Sequence, residues 1–481
     1  MSAAATPDPR RWKALAVLGV AYLMVVLDIS IVNVALPSIE TDLNFAPEDL
    51  QWVVSGYALT FGGLLLLGGR LGDILGRRTL FMVGLGLFAL ASLLCGLSVS
   101  AGMLIAMRLL QGAAGAILSP SVFSITTVTF AEGSERNKAL GILGAIAGSG
   151  AAIGVLLGGI LTEYAGWEWI FFVNVPIGVL ALLAVPRYVS ESRAADLERH
   201  FDAAGAITVT ASLMIFVYAL TQTTNVGWLT FRTIGLFILS AVLMVAFFFI
   251  ESRSRSPLVP LRIFRRRTLV GANTVGFGLG TAIFGMFFLL SLYMQQVLGF
   301  SALETGVGYL AVALTAVAAS GVAQALVTRI GVKPVLATGL GLLAAGLIFF
   351  TQVSVDGSYV SDLLPGFLLV GVGLGFSFVP VSIAALAGAT DKEAGLQSGL
   401  INTSQQIGGA LGLAILSTVA TTRTENLLKE GASQAVALTD GFSLAFWVGA
   451  AVAIVSVIAT LVLLKREEVA TEPETAGAPV G

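Results

Sequence analysis

Long apolar runs alternate with short polar breaks along the whole chain, and inside each run the apolar residues are continuous. Continuous runs predict membrane-spanning helices, each of about 20 mostly apolar residues. A membrane barrel would instead show residue-by-residue alternation. Breaking the chain at polar, charged and Gly/Pro clusters predicts fourteen spans: 14–39, 52–69, 79–98, 103–128, 139–161, 169–187, 204–222, 232–250, 269–293, 305–327, 335–352, 363–388, 399–420 and 441–464. The first run is too long for a signal h-region, and no small-residue cleavage site closes it, so it reads as a span. The expected fold class is all-α, a polytopic membrane protein.

Basic residues set the expected orientation. Of the 26 Lys and Arg, only Arg232, Arg423 and Lys429 fall on one set of loops, and only Arg108 falls inside a span. The other 22 lie in the tails and the alternate loops. Positive charge collects on the cytoplasmic side, so an even span count with both termini in the cytoplasm is expected.

Composition narrows the function. Charged residues make up 11% of the 481, against about 25% in a soluble domain. The net charge of −2 offers no field for a polyanion, so no nucleic-acid partner is expected. A single cysteine, Cys95, and a single histidine, His200, leave no disulfide framework and no multi-residue metal site. No G-x-x-x-x-G-K-[ST] loop is present, so an ATP-driven pump is not expected. No enzyme activity, cofactor or metal is expected.

An internal repeat organises the runs. Leu43–Phe45 recurs as Leu298–Phe300, and the twelve residues from Gly76 match those from Gly331 at the same offset of 255. Gly115 and Pro120 have counterparts in Gly375 and Pro380. Two similar six-helix bundles follow, related by an axis along the membrane normal. The expected divisions are a tail at 1–13, a bundle at 14–187, a linker at 188–203, two inserted helices at 204–250, a basic loop at 251–268, a second bundle at 269–464 and a tail at 465–481.

Polar groups inside the runs carry the candidate chemistry. Asp28 lies in span one, where a carboxylate must find a partner, a cavity or a proton. It is the one deeply placed acid; Glu163, Glu168 and Glu304 lie near outer ends. Asp28 falls about 16 Å, and Arg108 in span four about 8 Å, from the outer surface at 1.5 Å per residue. Both therefore occupy the outer half, and Gln111 adds a second polar group one turn from Arg108. The duller alternatives are a structural hydrogen bond for Asp28 and snorkelling for Arg108. Between spans two and three, Gly68–Phe81 combines turn-forming glycines with Asp73, which suits a helix cap or a cation across the interface. Arg77 and Arg78 would hold that turn at the cytoplasmic face. In span five, Gly150, Gly154, Gly158 and Gly159 make smooth faces for close helix packing.

These segments resemble the major facilitator superfamily, and within it the fourteen-helix drug:proton antiporters. Gly69, Leu71, Asp73, Gly76, Arg77 and Arg78 match its loop G-x-L-x-D-x-x-G-R-[RK], with Ile74 where a basic residue is common. Leu27–Ile39 matches the first-helix motif, and Arg108, Gln111 and Gly112 match R-x-x-Q-G. Gly154–Gly159 is similar to the antiporter motif G-P-x-x-G-G, with Val155 replacing the proline. Trp167–Gly178, Tyr293–Gly306 and Asn402–Gly412 also resemble this subgroup, with Glu168 and Gln405 where arginines are common. The resemblance implies proton-coupled export of a lipophilic compound through a cavity containing Asp28, Arg108 and Gln111, with Asn33, Gln405 and Gln406 as further candidate polar groups. It implies a cytoplasmic gate at Gly69, Asp73, Gly76, Arg77 and Arg78. The expected setting is a monomer in the lipid bilayer of the cytoplasmic membrane. Export of one dedicated metabolite, or a receptor or scaffold without transport, are the competing readings.

Overall fold

The computed structural model describes residues 10–130, 134–192, 202–254, 257, 265–387 and 391–464. Regular structure among these residues is entirely helical. The first half holds α1 (Arg11–Asp42), a short α2 (Pro47–Leu50), α3 (Trp52–Leu75), α4 (Arg77–Gly96), α5 (Ala101–Thr129), α6 (Ser134–Tyr164), α7 (Trp169–Phe172) and α8 (Asn174–Tyr188). A pair follows, α9 (Ala203–Val226) and α10 (Phe231–Arg253). The second half holds α11 (Arg267–Leu292), α12 (Ala302–Ile330), α13 (Val332–Phe350), α14 (Leu364–Leu386), α15 (Asp391–Lys429) and α16 (Gln434–Leu463). Residues 1–9 and 465–481 of the tails, 193–201 of the 188–203 linker, and 255–256 and 258–264 of the 251–268 basic loop lie outside the described residues.

Each predicted span overlaps one of these helices, or two for span six, and ten of the helical segments are long and apolar enough to cross a membrane. The chain is thus a multi-pass helical membrane protein. α3, α6, α9 and α15 are helical but stand outside those ten. Polar residues Asn402–Gln406 interrupt the apolar character of α15, which also runs to Lys429, beyond the predicted end at 420. Span six is interrupted between α7 and α8. Pro176 has no N–H to return to the Phe172 carbonyl, so the regular ladder fails there. Two π turns, Tyr293–Val297 and Tyr359–Leu363, also escaped the periodic pattern.

Helix contacts sort into two groups. α1 packs on α6 and α8, α3 on α5, and α4 on α5 and α8. In the second half α11 packs on α15 and α16, α12 on α14, and α13 on α14 and α16. The groups meet along two seams, α6 with α12 and α3 with α15, and α9 lies against both α3 and α15. The repeated residues occupy matching places. Gly76 and Gly331 both take positive φ, +113° and +87°, at the starts of α4 and α13, a conformation that favours glycine. Gly84 lies against the backbone of α5 at Leu118, and Gly339 against that of α14 at Phe376.

One end of the molecule gathers the starts of α1 and α6, joined by the Arg11–Glu135 ion pair, 2.8 Å. The start of α11 meets the end of α16 where Gly271 touches Leu463. This is called the basic end, and the opposite one the far end. Two side-chain hydrogen bonds join the groups at the far end. Gln295 Nε2 donates to the Val34 carbonyl, 2.8 Å, and Gln296 Nε2 to Glu40 Oε2, 2.6 Å. Outer surfaces are apolar: α10 exposes Ile238, Val242, Val245 and Phe249, and α16 exposes Val455, Ile458 and Val462.

Close approach of α6 to α1 depends on glycine. A Cβ on Gly158 would stand 2.6 Å from the Ile31 carbonyl oxygen, a backbone atom that cannot rotate away. Gly158→Ala is expected to destabilise the protein by about 1–3 kcal/mol through overpacking. Gly341→Ala, which meets open space on α13, should leave stability unchanged or raise it by up to about 1 kcal/mol. Thermal unfolding of both variants in detergent measures the difference; a Gly158→Ala protein as stable as wild type would contradict the packing assignment.

Candidate functional site

A buried charge cluster sits inside the first helix group. α1 brings Asp28, and α5 brings Arg108 and Gln111, one turn apart on the same face. α4 contributes Ser92 and α8 its first residue, Asn174. Arg108 Nη1 stands 2.5 Å from Asp28 Oδ2, an ion pair with 1% and 0% of its side chains exposed. The separation inferred from depth along the helices is closed directly. Arg108 Nη1 also donates to Gln111 Oε1 at 2.7 Å, and its Nε donates to the Val53 carbonyl of α3 at 2.8 Å.

The other Asp28 oxygen is equally occupied. Oδ1 accepts from Gln111 Nε2 at 2.7 Å and from Asn174 Nδ2 at 3.0 Å. Both amides share the Ser92 hydroxyl, at 2.8 and 3.4 Å. The Cys95 thiol lies 3.6 Å from Gln111 Oε1. Above the guanidinium, the Tyr57 ring centroid is 4.4 Å from Arg108 Cζ, and Phe171 is 5.6 Å away. Such ring faces favour a desolvated cation. Coulombic attraction is strong in this dry setting, but only full hydrogen bonding offsets the cost of removing both charges from water. The cluster meets that requirement at both carboxylate oxygens.

Chemically, this arrangement can hold or release one proton. Burial favours the neutral acid, whereas the guanidinium favours the carboxylate. Arginine itself stays charged.

The remaining candidates are dispersed. Asn33, further along α1, donates to the Ile29 and Ser30 carbonyls, and its Oδ1 is buried without a partner. Gln405 and Gln406 lie on α15, against Gly276 of α11 and Gly62 of α3 respectively. None of the three joins the Asp28 cluster. Gly150, Gly154 and Gly158 face Val26, Ser30 and Ile31 of α1, while Gly159 approaches Ala302 of α12. The small-residue helix therefore packs on both sides, with Val155 contributing its carbonyl to the contact with Gly306.

At the basic end, Gly69 lies against Pro120, and Gly76 makes the turn into α4. The Asp73 side chain lies outside the described residues. The Arg77 N–H donates to the Ser192 carbonyl at 3.0 Å. Glu191 accepts from the Arg78 and Thr79 N–H groups, each at 3.1 Å, and from the Thr79 hydroxyl at 2.6 Å. It thereby caps the start of α4, where exposed N–H groups favour an anion. Sequence reasoning missed Glu191, Ser92, Asn174, Tyr57 and Phe171. Asn174 had a visible signal, a polar residue in an otherwise apolar run; Ser92 had none, since serine is common in spans.

Two internally similar groups of spanning helices, one containing a sealed ion pair, define the class of secondary transporters. The chain belongs to the Major Facilitator Superfamily, which it matches over residues 18–413. It is 38% identical over 479 residues to the puromycin resistance protein pur8 of Streptomyces alboniger, covering 98% of this chain and 95% of that one. The cephamycin export protein CmcT of Amycolatopsis lactamdurans is 38% identical, with 87% of each chain covered. The multidrug transporter protein MdtP of Bacillus subtilis is 31% identical, covering 85% of this chain and 75% of that one. Among solved structures, a bacterial homologue of the human lysosomal transporter Spinster, in an inward-facing and unoccupied conformation, has a TM-score of 0.67 at 15% identity. That likeness covers 97% of this chain and 100% of the other.

The Glu191 cap makes the basic-end turn sensitive to acid. Partial burial works against the charged carboxylate. The bonds from the Thr79 hydroxyl and the Arg78, Ser192 and Thr79 N–H groups outweigh it and hold this carboxyl below its usual range. A depressed value means that the stabilisation is present above the ordinary carboxylate pKa, about 4.3, and is lost as pH falls through the folded value. Hydrogen exchange at the Arg78 and Thr79 amides, corrected for intrinsic rates, should accelerate on acidification in wild type. In Glu191→Gln it should be faster at neutral pH and lack this acid transition.

Proposed function

We propose that this protein is a fourteen-span drug:proton antiporter that exports lipophilic compounds, antibiotics among them, across the cytoplasmic membrane. The sealed Asp28–Arg108–Gln111 cluster is the observation that carries this reading. Relatives named for antibiotic resistance, antibiotic export and multidrug transport support it. Relatives named for single antibiotics also favour a narrower reading, a dedicated exporter of one compound. The proposed architecture is two six-helix bundles, 14–187 and 269–464, with α9 and α10 inserted between them. Both termini are assigned to the cytoplasm, and the basic end to the cytoplasmic face.

In this mechanism Asp28 carries the proton and Arg108 tunes it. When the far end opens, an acidic exterior protonates Asp28, its pair with Arg108 loosens, and a bound cation departs. Inward opening restores the pair, and the proton leaves to the cytoplasm. One proton enters as cargo exits, with the two competing for Asp28. The closed ion pair coexisting with a hydrogen-bonded far end supports this order.

Substrate-induced proton release from purified protein tests the carrier. Asp28→Asn should abolish the release while neutral compounds still bind. Arg108→Lys should keep some coupling with an altered pH profile, and Arg108→Ala should lose it. Release of equal size in wild type and Asp28→Asn would remove Asp28 from the mechanism.

Asp73, with Arg77, is assigned to the cytoplasmic gate, fastening the two bundles when the protein faces outward. Asp73→Asn should slow transport in proteoliposomes while leaving expression and substrate binding nearly intact. Normal turnover in that variant would refute the gate role.

A further inference from the structure

We propose that a cavity at the far end is a second, transient site for an organic cation with an aromatic or apolar body, occupied before release. This rests on the exporter reading and assigns its exit path. The cavity measures about 810 Å³ and opens between α1, the α6–α7 loop and the π turn after α11. Drug-sized ligand pockets are typically about 300–1,000 Å³.

Its walls offer both halves of such a ligand a partner. Trp167 and Phe300 supply apolar surface, and Asp42 and Glu168 supply negative charge. Among the described residues, no lysine or arginine lines the cavity. Among the described residues, neither carboxylate has an ion-pair partner. A cation placed beside an aromatic face and carboxylates gains from both.

The charged wall is held in place. Trp167 is buried, and its Nε1 donates to Asp42 Oδ2 at 2.9 Å, fixing the indole beside that carboxylate. Gly166 has φ of +103°, and Glu168 Oε2 lies 2.6 Å from the position a Cβ there would take. Any side chain at 166 would displace the Glu168 carboxylate. Glycine at 166 thus suits the positive-φ turn and leaves room for the Glu168 carboxylate beside it.

The inner wall is also the junction between the helix groups. Gln295 and Gln296 line the cavity and bond to Val34 and Glu40 of α1. While those bonds hold, the path between the cavity and the centre of the molecule is interrupted at this point. A compound that has passed them meets the acidic, aromatic wall from the inside. Two carboxylates attract a cation, but an open site with half-exposed walls releases it readily.

Tetraphenylphosphonium, an aromatic monocation, and triphenylphosphine oxide, a neutral relative, test the site by equilibrium binding to the full-length purified protein. Trp167 fluorescence, taken as the difference between wild type and Trp167→Phe, reports occupancy locally. Asp42→Asn with Glu168→Gln should weaken the cation's quenching by about tenfold and leave the neutral compound unaffected. Asp28→Asn should leave the Trp167 signal intact, which separates this site from the proton carrier. Unchanged cation affinity in the double variant would overturn the proposal, as would equal loss for both probes. Failure of the Asp28 proton-release experiment, with the Trp167 signal preserved, would instead count against the antiport reading.

Discussion

Asp28 and Arg108 impose the constraint around which the first helix group is arranged. Two opposite charges with almost no exposure are stable only if their mutual attraction and hydrogen bonds replace the water they lose. The solution recruits a carbonyl from α3, a hydroxyl from α4, an amide from α5 and another from the start of α8. Each helix must therefore keep its rotation and depth relative to the others. The sealed pair is thus a packing requirement for the whole group.

Elsewhere, close packing rather than polarity holds the helices together. Lipid is as apolar as a leucine side chain, so apolar burial gives little reason for spans to associate within the bilayer. Small residues provide the alternative by letting backbones approach. α6 shows this on two faces, with Gly154 and Gly158 against α1 and Gly159 against α12. The same helix lies within one bundle and along the seam between them. A substitution there acts on packing within one group and on the seam between the groups.

Much of this was legible in the sequence because membrane physics leaves few options. Continuous apolar runs located the helices, depth counting along α1 and α5 placed Asp28 and Arg108 in the same outer half, and spacing put Gln111 one turn from Arg108. Rotation about each helix axis was less accessible. A helix that is apolar nearly all round does not reveal which face looks inward. Asn33, Gln405 and Gln406 were accordingly grouped on polarity alone, although the structure distributes them among separate contacts. Glu191 was hidden for another reason. It follows the end of span six and serves a turn more than 100 residues earlier, a pairing that no local spacing encodes. The break before α8, inside the span expected at 169–187, falls where Pro176 offers no N–H to the Phe172 carbonyl.

The helix pair α9–α10 makes the molecule laterally unequal. Along one flank, α9 overlies the meeting of α3 and α15, and buried Leu213, Val217 and Leu220 pack there with Leu59, Ala410 and Ala414. On the opposite flank α6 and α12 meet directly, with Ile153, Ile160, Val307 and Leu314 exposed. One seam is armoured and the other is bare. A hydrophobic molecule dissolved in the bilayer consequently meets two different barriers: an additional helical layer on one side, and a single glycine-lined joint on the other.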